Sequence, residues 1–222
     1  MGSRVASRHL DAYRGAATVR RGPPVEDATV VVVAVHGRAQ SPQYPLDHVV
    51  ARVRRDGVAW ILPAAADGEW YPGRFFDPIE HNQPALDEAL DVVATIECVL
   101  DRAGVDARRV IWLGFSQGAC LVAEHVARRP RRWGGVALLT GGLLGPRGTE
   151  LHVGGRLDGV PVYVSNGDDD DWVPWWSSVA TATAFRAAGA AVKLEQFPGR
   201  DHEIADAEIA VVEGMLARAA GR

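Results

Sequence analysis

The segment Thr29–Val35, TVVVVAV, offers water no polar face on either side. Side chains of a strand point alternately to its two faces, so an unbroken run of valines needs apolar cover on both. Strands of that kind sit inside parallel sheets flanked by helices. The rest of the chain repeats the alternation. Val58–Leu62 reads as a second strand closed by Pro63. Pro84–Ala103 places Leu86, Leu90, Val93, Ile96 and Leu100 at helical spacing and stops at Gly104. Arg109–Leu113, Val136–Thr140, Val160–Ser165 and Val192–Phe197 read as strands. Gln117–Arg129, Trp175–Ala188 and Glu203–Ala219 read as helices. Short β-branched runs separated by helices imply an α/β fold with a mostly parallel sheet. An antiparallel edge strand is expected within Leu10–Val19, and Gly141–Gly159 reads as a surface excursion.

The 222 residues fit one domain spanning 1–222, with residues 1–9 read as a disordered or vector-derived tail. With 24 Lys and Arg against 28 Asp and Glu, there is no basic excess, and no nucleic-acid partner is expected. Arg128, Arg129, Arg131 and Arg132 read as a solvated helix end, where positive charge is favourable. Cys98 and Cys120 lie in apolar helical runs and read as buried free thiols, which suits the reducing cytoplasm. The first residues have no apolar stretch of the secretory kind, and no run reaches the ~18 residues of a membrane span.

Ligand sites of open α/β sheets lie beyond the carboxyl ends of the strands. Arg109–Leu113 is followed by Gly114-Phe115-Ser116-Gln117-Gly118 and then a helix. This is the G-x-S-x-G nucleophile elbow in its strand–turn–helix setting, the mark of an α/β-hydrolase fold. Ser116 would be a nucleophile at a strained turn, and Gly114 and Gly118 would let strand and helix approach closely. The Gln117 N–H would then face a developing oxyanion. After Thr29–Val35 comes His36-Gly37-Arg38, where the Arg38 N–H would supply a second donor. His36 itself reads as structural. Asp168, Asp169, Asp170 and Asp171 follow Val160–Ser165, and any of the four could be a triad acid. Consecutive carboxylates do not converge on one ion, so no metal is expected. His202 lies in the loop after Val192–Phe197, and the order Ser…Asp…His is that of α/β-hydrolases.

On these residues the chain resembles the phospholipase/carboxylesterase family of α/β-hydrolases, which includes acyl-protein thioesterases and small bacterial carboxylesterases. GFSQG looks like that family's elbow, and His36-Gly37 like the start of its oxyanion loop. Gly167 through Val173-Pro174 looks like its G-x-x-D-x-x-V-P motif, which selects Asp170 as the acid. Pro198-Gly199 with His202-Glu203-Ile204 looks like its histidine loop. Trp70-Tyr71-Pro72 through Asn82-Gln83-Pro84, and Gly141–Pro146, are similar to a bacterial subgroup of short carboxylesterases. Two positions depart from the pattern: Asn166 replaces a common histidine, and Asp201 replaces a small residue.

The resemblance implies cofactor-free hydrolysis of a small ester through an acyl-enzyme, with minimal or no cap. Trp70, Tyr71, Phe75, Trp172 and Trp175 would line an apolar substrate pocket. Lysophospholipid or acyl-thioester hydrolysis is the alternative within the same chemistry. A hydrolase fold serving as a small-molecule receptor is the alternative outside it. A homodimer is compatible with the sequence but not required by it.

Overall fold

The computed structural model describes residues 18–221. Residues 1–9, and most of the edge strand expected over Leu10–Val19, lie outside them. A seven-stranded sheet runs in the order β1-β3-β2-β4-β5-β6-β7. Its strands are β1 (Val19–Arg21), β2 (Val30–Val35), β3 (Val58–Leu62), β4 (Val110–Phe115), β5 (Gly135–Leu139), β6 (Pro161–Gly167) and β7 (Ala191–Phe197). Only β1 is antiparallel to its neighbour, β3. Five α-helices accompany them among the described residues: α1 (Gln43–His48), α2 (Ala85–Arg102), α3 (Gln117–Arg128), α4 (Trp175–Ala187) and α5 (Asp206–Ala220). No helix among the described residues is long and apolar enough to cross a membrane.

The valine run behaves as its composition requires. Val31, Val33 and Val35 belong to one apolar core with residues of α2, α3 and α4. Val30, Val32 and Ala34 belong to a second, with residues of α1 and α5. Each of these six side chains is fully buried. Burying a valine stabilises a fold by roughly 1.5–3 kcal/mol, so this strand alone does much to hold the two layers together.

Several elements differ from the sequence reading. β4 and β6 each run two residues further, so Gly114-Phe115 and Asn166-Gly167 are strand. The last helix begins at Asp206 rather than Glu203. The short helix α1 was not anticipated, because Pro42 and Pro45 mask its spacing. Cys98 is exposed while Cys120 is buried; Cys98 sits two residues past Ile96, on the outer side of α2. Gly141–Gly145 is buried under the elbow, and only the part after it is surface.

The arginine cluster is also more than a solvated helix end. Arg129 and Arg131 approach the two oxygens of the buried Glu97 at 2.7 and 2.8 Å, and Arg131 also pairs with Asp101. Arg128 pairs with Glu124 at 2.9 Å. Glu97 therefore ties α2 to the end of α3 and to the segment entering β5. Burial raises the Glu97 pKa, but the His125 ring beside it and the hydrogen bonds from Arg129 and Arg131 outweigh it and bring it down to about 2. A carboxyl lowered in the folded state stabilises above its unfolded pKa, and that contribution fades as pH falls towards the folded value. Glu97→Gln is expected to cost about 3 kcal/mol near neutral pH and much less near pH 3. Urea melts at both pH values check this; a loss that does not change with pH would contradict it.

Candidate active site

The sheet order places β2 between its sequence neighbour β3 on one side and β4, the central strand, on the other. Chain connections diverge there, which opens a crevice at the carboxyl ends of β2 and β4. Val35 pairs with Gly114, so the turn after β2 is level with the turn after β4. Ser116 occupies the latter at φ 54°, ψ −124°, a backbone region that costs a non-glycine residue of order 1–3 kcal/mol.

The flanking glycines permit this turn for a steric reason. A Cβ on Gly114 would lie 2.4 Å from the Gly118 carbonyl oxygen, and one on Gly118 would lie 2.3 Å from that of Val35. Gly141, quoted above only for its resemblance to the carboxylesterase subgroup, matters equally: its Cβ would meet the Ser116 carbonyl oxygen at 2.7 Å.

On the other side of the crevice, Gly167 at the end of β6 pairs with Phe197 at the end of β7. The two loops that follow therefore start level and meet. His202 Nδ1 lies 2.7 Å from Asp170 Oδ2, and His202 Nε2 lies 2.8 Å from Ser116 Oγ. The imidazole rests against the Phe115 ring at 5.1 Å between centroids. The other oxygen of Asp170 accepts the N–H groups of Trp172 and Val173 at 2.8 and 2.9 Å. Burial pushes the Asp170 pKa up, but the His202 contact and those two N–H groups outweigh it and hold it below its ordinary value.

Of the four aspartates only Asp170 touches His202. Asp169 and Asp171 are exposed. Asp168 is not idle: it accepts the Gly199 N–H at 2.6 Å and so links the acid loop to the histidine loop. Asn166 is buried and donates to the Val173 carbonyl at 2.6 Å, bracing the acid loop from below. Among the described residues no three His, Cys, Asp or Glu side chains group as a metal site.

Arg38 and Gln117 both face the cleft that holds Ser116. As the first residue of α3, Gln117 has a backbone N–H without an intrahelical partner, at the end of the helix that favours negative charge. Their side chains do something the sequence did not disclose. Gln117 accepts the Trp70 N–H at 2.9 Å and donates to the Tyr71 carbonyl at 2.7 Å. The Arg38 guanidinium donates to the carbonyls of Tyr71, Pro72 and Gly73 and to Glu69. The loop after β3, which walls the cleft, is thereby fastened to the two residues beside Ser116. Partners more than 30 positions apart leave no local signal.

His36 is fully buried and lies beneath the site. Its Nε2 accepts the Ala65 N–H at 3.0 Å, so its Nδ1 donates to the Gly37 carbonyl at 2.7 Å. Burial lowers its pKa, consistent with a neutral ring that holds loops together. Trp70 packs on this ring and donates to the His36 carbonyl at 2.8 Å.

The cleft has a volume of about 640 Å³. Tyr71, Phe75, Trp172 and Val173 give it apolar walls, with Cys120 at its base. Trp70 and Trp175, expected among these, are not: Trp70 belongs to the core behind His36, and Trp175 starts α4, half-buried away from the cleft. Trp172 stands at the mouth, 63 % exposed. Burial pushes the Cys120 thiol up to about 12, so it stays protonated and offers no thiolate to compete with Ser116.

Residues 23–219 match the sequence model of the phospholipase/carboxylesterase family. The chain is 25% identical to carboxylesterase SOBER1 of Arabidopsis thaliana over 208 residues, 86% of this chain and 91% of that one. It is 28% identical to acyl-protein thioesterase 1 of Saccharomyces cerevisiae over 175 residues, 78% of this chain and 67% of that one. The crystal structure of a phospholipase/carboxylesterase from Dyadobacter fermentans superimposes with a TM-score of 0.84 at 34% identity, covering 90% of this chain and 95% of that one. The chain thus belongs to the phospholipase/carboxylesterase family of α/β-hydrolases, enzymes that hydrolyse carboxylic esters.

Proposed function

We propose that this protein is a cytoplasmic serine carboxylesterase that hydrolyses small esters through Ser116, His202 and Asp170. The observation that carries the reading is the continuous chain of 2.8 and 2.7 Å contacts from Ser116 Oγ through the imidazole to a buried carboxylate. An ionised Asp170 has no proton to give, so His202 Nδ1 donates to it. The neutral ring then presents Nε2 as an acceptor to the serine hydroxyl. As Ser116 Oγ attacks the ester carbonyl, its proton passes to Nε2, and Asp170 stabilises the imidazolium. The N–H groups of Arg38 and Gln117 receive the oxyanion. The imidazolium returns the proton to the departing alcohol, leaving an acyl-Ser116. Water, deprotonated by His202, then releases the acid.

The apolar, uncapped cleft suits a short acyl chain or an aromatic ester. A panel of p-nitrophenyl esters of increasing acyl length, with a matched acyl-thioester, tests this. The expected result is highest kcat/KM on short chains. Preference for long acyl-thioesters would favour the thioesterase reading, for which the likeness to acyl-protein thioesterase 1 speaks. Absence of turnover and of labelling by a fluorophosphonate would favour a receptor. Since Asp170 is engaged with His202 and Asp168 with a backbone N–H, EDTA is expected to leave ester hydrolysis unchanged. Loss of activity that added Ca²⁺ or Mg²⁺ restores would contradict this.

A further inference from the structure

Two charged side chains lie buried behind the histidine loop and take no part in lining the cleft. Glu208, on the first turn of α5, is 0 % exposed, and Arg200, two residues before His202, is 7 % exposed. Their nitrogen and oxygen stand 2.5 Å apart. The pair is anchored on two strand ends. Glu208 accepts the Ser165 hydroxyl of β6 at 2.5 Å, and Arg200 donates to the Thr140 hydroxyl, just past β5, at 2.8 Å. Glu208 also accepts the Ala205 N–H at 2.7 Å, closing the loop at its far end. The Arg200 guanidinium lies over the Phe197 ring at 4.8 Å.

A buried ion pair is a weak source of stability, because desolvation offsets the attraction; apolar residues of similar size often serve as well or better. What such a pair supplies is direction. Its hydrogen bonds fix the loop 198–205 at both ends against β5, β6 and α5, with His202 between the fixed points. The loop is also held by the Asp168 bond to Gly199, an Arg52 bond to the Ile204 carbonyl, the burial of Ile204 in the core beside α5, and the Asp170 contact of His202 itself. We infer that Arg200 and Glu208 are positioning residues that hold His202 Nε2 within reach of Ser116 Oγ, an inference that rests on His202 being the general base.

The test separates position from stability. Glu208→Gln alone strands a buried cation and is expected to unfold readily. The doubly neutral chain, Arg200→Met with Glu208→Leu, removes both charges at once; it leaves the Ser165 hydroxyl and the Ala205 N–H without their acceptor and is expected to melt below wild type but to stay folded at about 25 °C. Its KM on an activated ester should be unchanged while kcat falls about 10²-fold, the scale on which a misplacement of about 1 Å acts. Fluorophosphonate labelling of Ser116 should slow by the same factor. Arg200→Lys, which keeps the charge but cannot reach both Glu208 and Thr140, should fall between. A folded double variant with wild-type kcat would overturn the inference. Should that chain fail to fold, Ser165→Ala and Thr140→Val each delete one neutral anchor and should lower kcat about tenfold at constant KM; wild-type kcat in both would overturn it equally. A wild-type protein that neither hydrolyses esters nor labels at Ser116 would instead remove the general-base reading, and this inference with it.

Discussion

Ser116→Ala is expected to lower kcat for ester hydrolysis on the order of 10⁶-fold, the scale of nucleophile loss in serine hydrolases, while the protein still folds. The argument lies in the turn. Ser116 sits at φ 54°, the clearance around it is set by Gly114, Gly118 and Gly141, and an alanine Cβ occupies the place the serine Cβ already has. Removing Oγ deletes the nucleophile and one hydrogen bond to His202, with no new clash. A melting temperature close to wild type, together with background turnover, is the expected pair of results. Cys120, one turn along α3, cannot substitute, since its thiol remains protonated. Activity within about tenfold of wild type would exclude Ser116 as the nucleophile.

Asp170→Asn is expected to lower kcat by up to about 10⁴-fold, again with little loss of structure. The asparagine Oδ1 can still accept the Trp172 and Val173 N–H groups that hold the loop. Its amide nitrogen would face His202 Nδ1 where a carboxylate oxygen stood, so the imidazole would have to turn its proton-bearing nitrogen towards Ser116 and lose its function as a base. Asp169→Asn and Asp171→Asn, at exposed positions, should change stability by about 0.5 kcal/mol or less and leave kcat alone. Asp168→Asn keeps the oxygen that accepts the Gly199 N–H and should also stay near wild type. Collapse of the Asp168 or Asp171 variant with an active Asp170 variant would move the acid to another register.

The readable parts of this molecule were those written in consecutive residues. The valine run dictated a strand covered on both faces, and the glycines around Ser116 dictated a tight strand-to-helix turn. Both follow from side chains within a few positions of one another. The acid was less accessible: four adjacent aspartates are equivalent by local chemistry, and only the resemblance of Gly167 through Val173-Pro174 to the family's G-x-x-D-x-x-V-P motif separated them. What stayed hidden was long-range. The grip of Arg38 and Gln117 on residues 69–73, the Arg200–Glu208 pair anchored on Thr140 and Ser165, and the Glu97 staple all join segments far apart in sequence. Trp70 illustrates the same point. An aromatic residue on a loop beyond a strand end fits a pocket wall and a core equally well, and its burial among core residues, with its ring on His36 and its bond to the His36 carbonyl, assigns it to the core.

The claim that Ser116 is activated by His202 is tested most directly by treating the protein with a fluorophosphonate and measuring the intact mass, followed by peptide mapping. One adduct per chain on the peptide containing Ser116, absent in Ser116→Ala and strongly slowed in Asp170→Asn, is the predicted result. An unmodified chain, or an adduct on any other residue, would contradict the account.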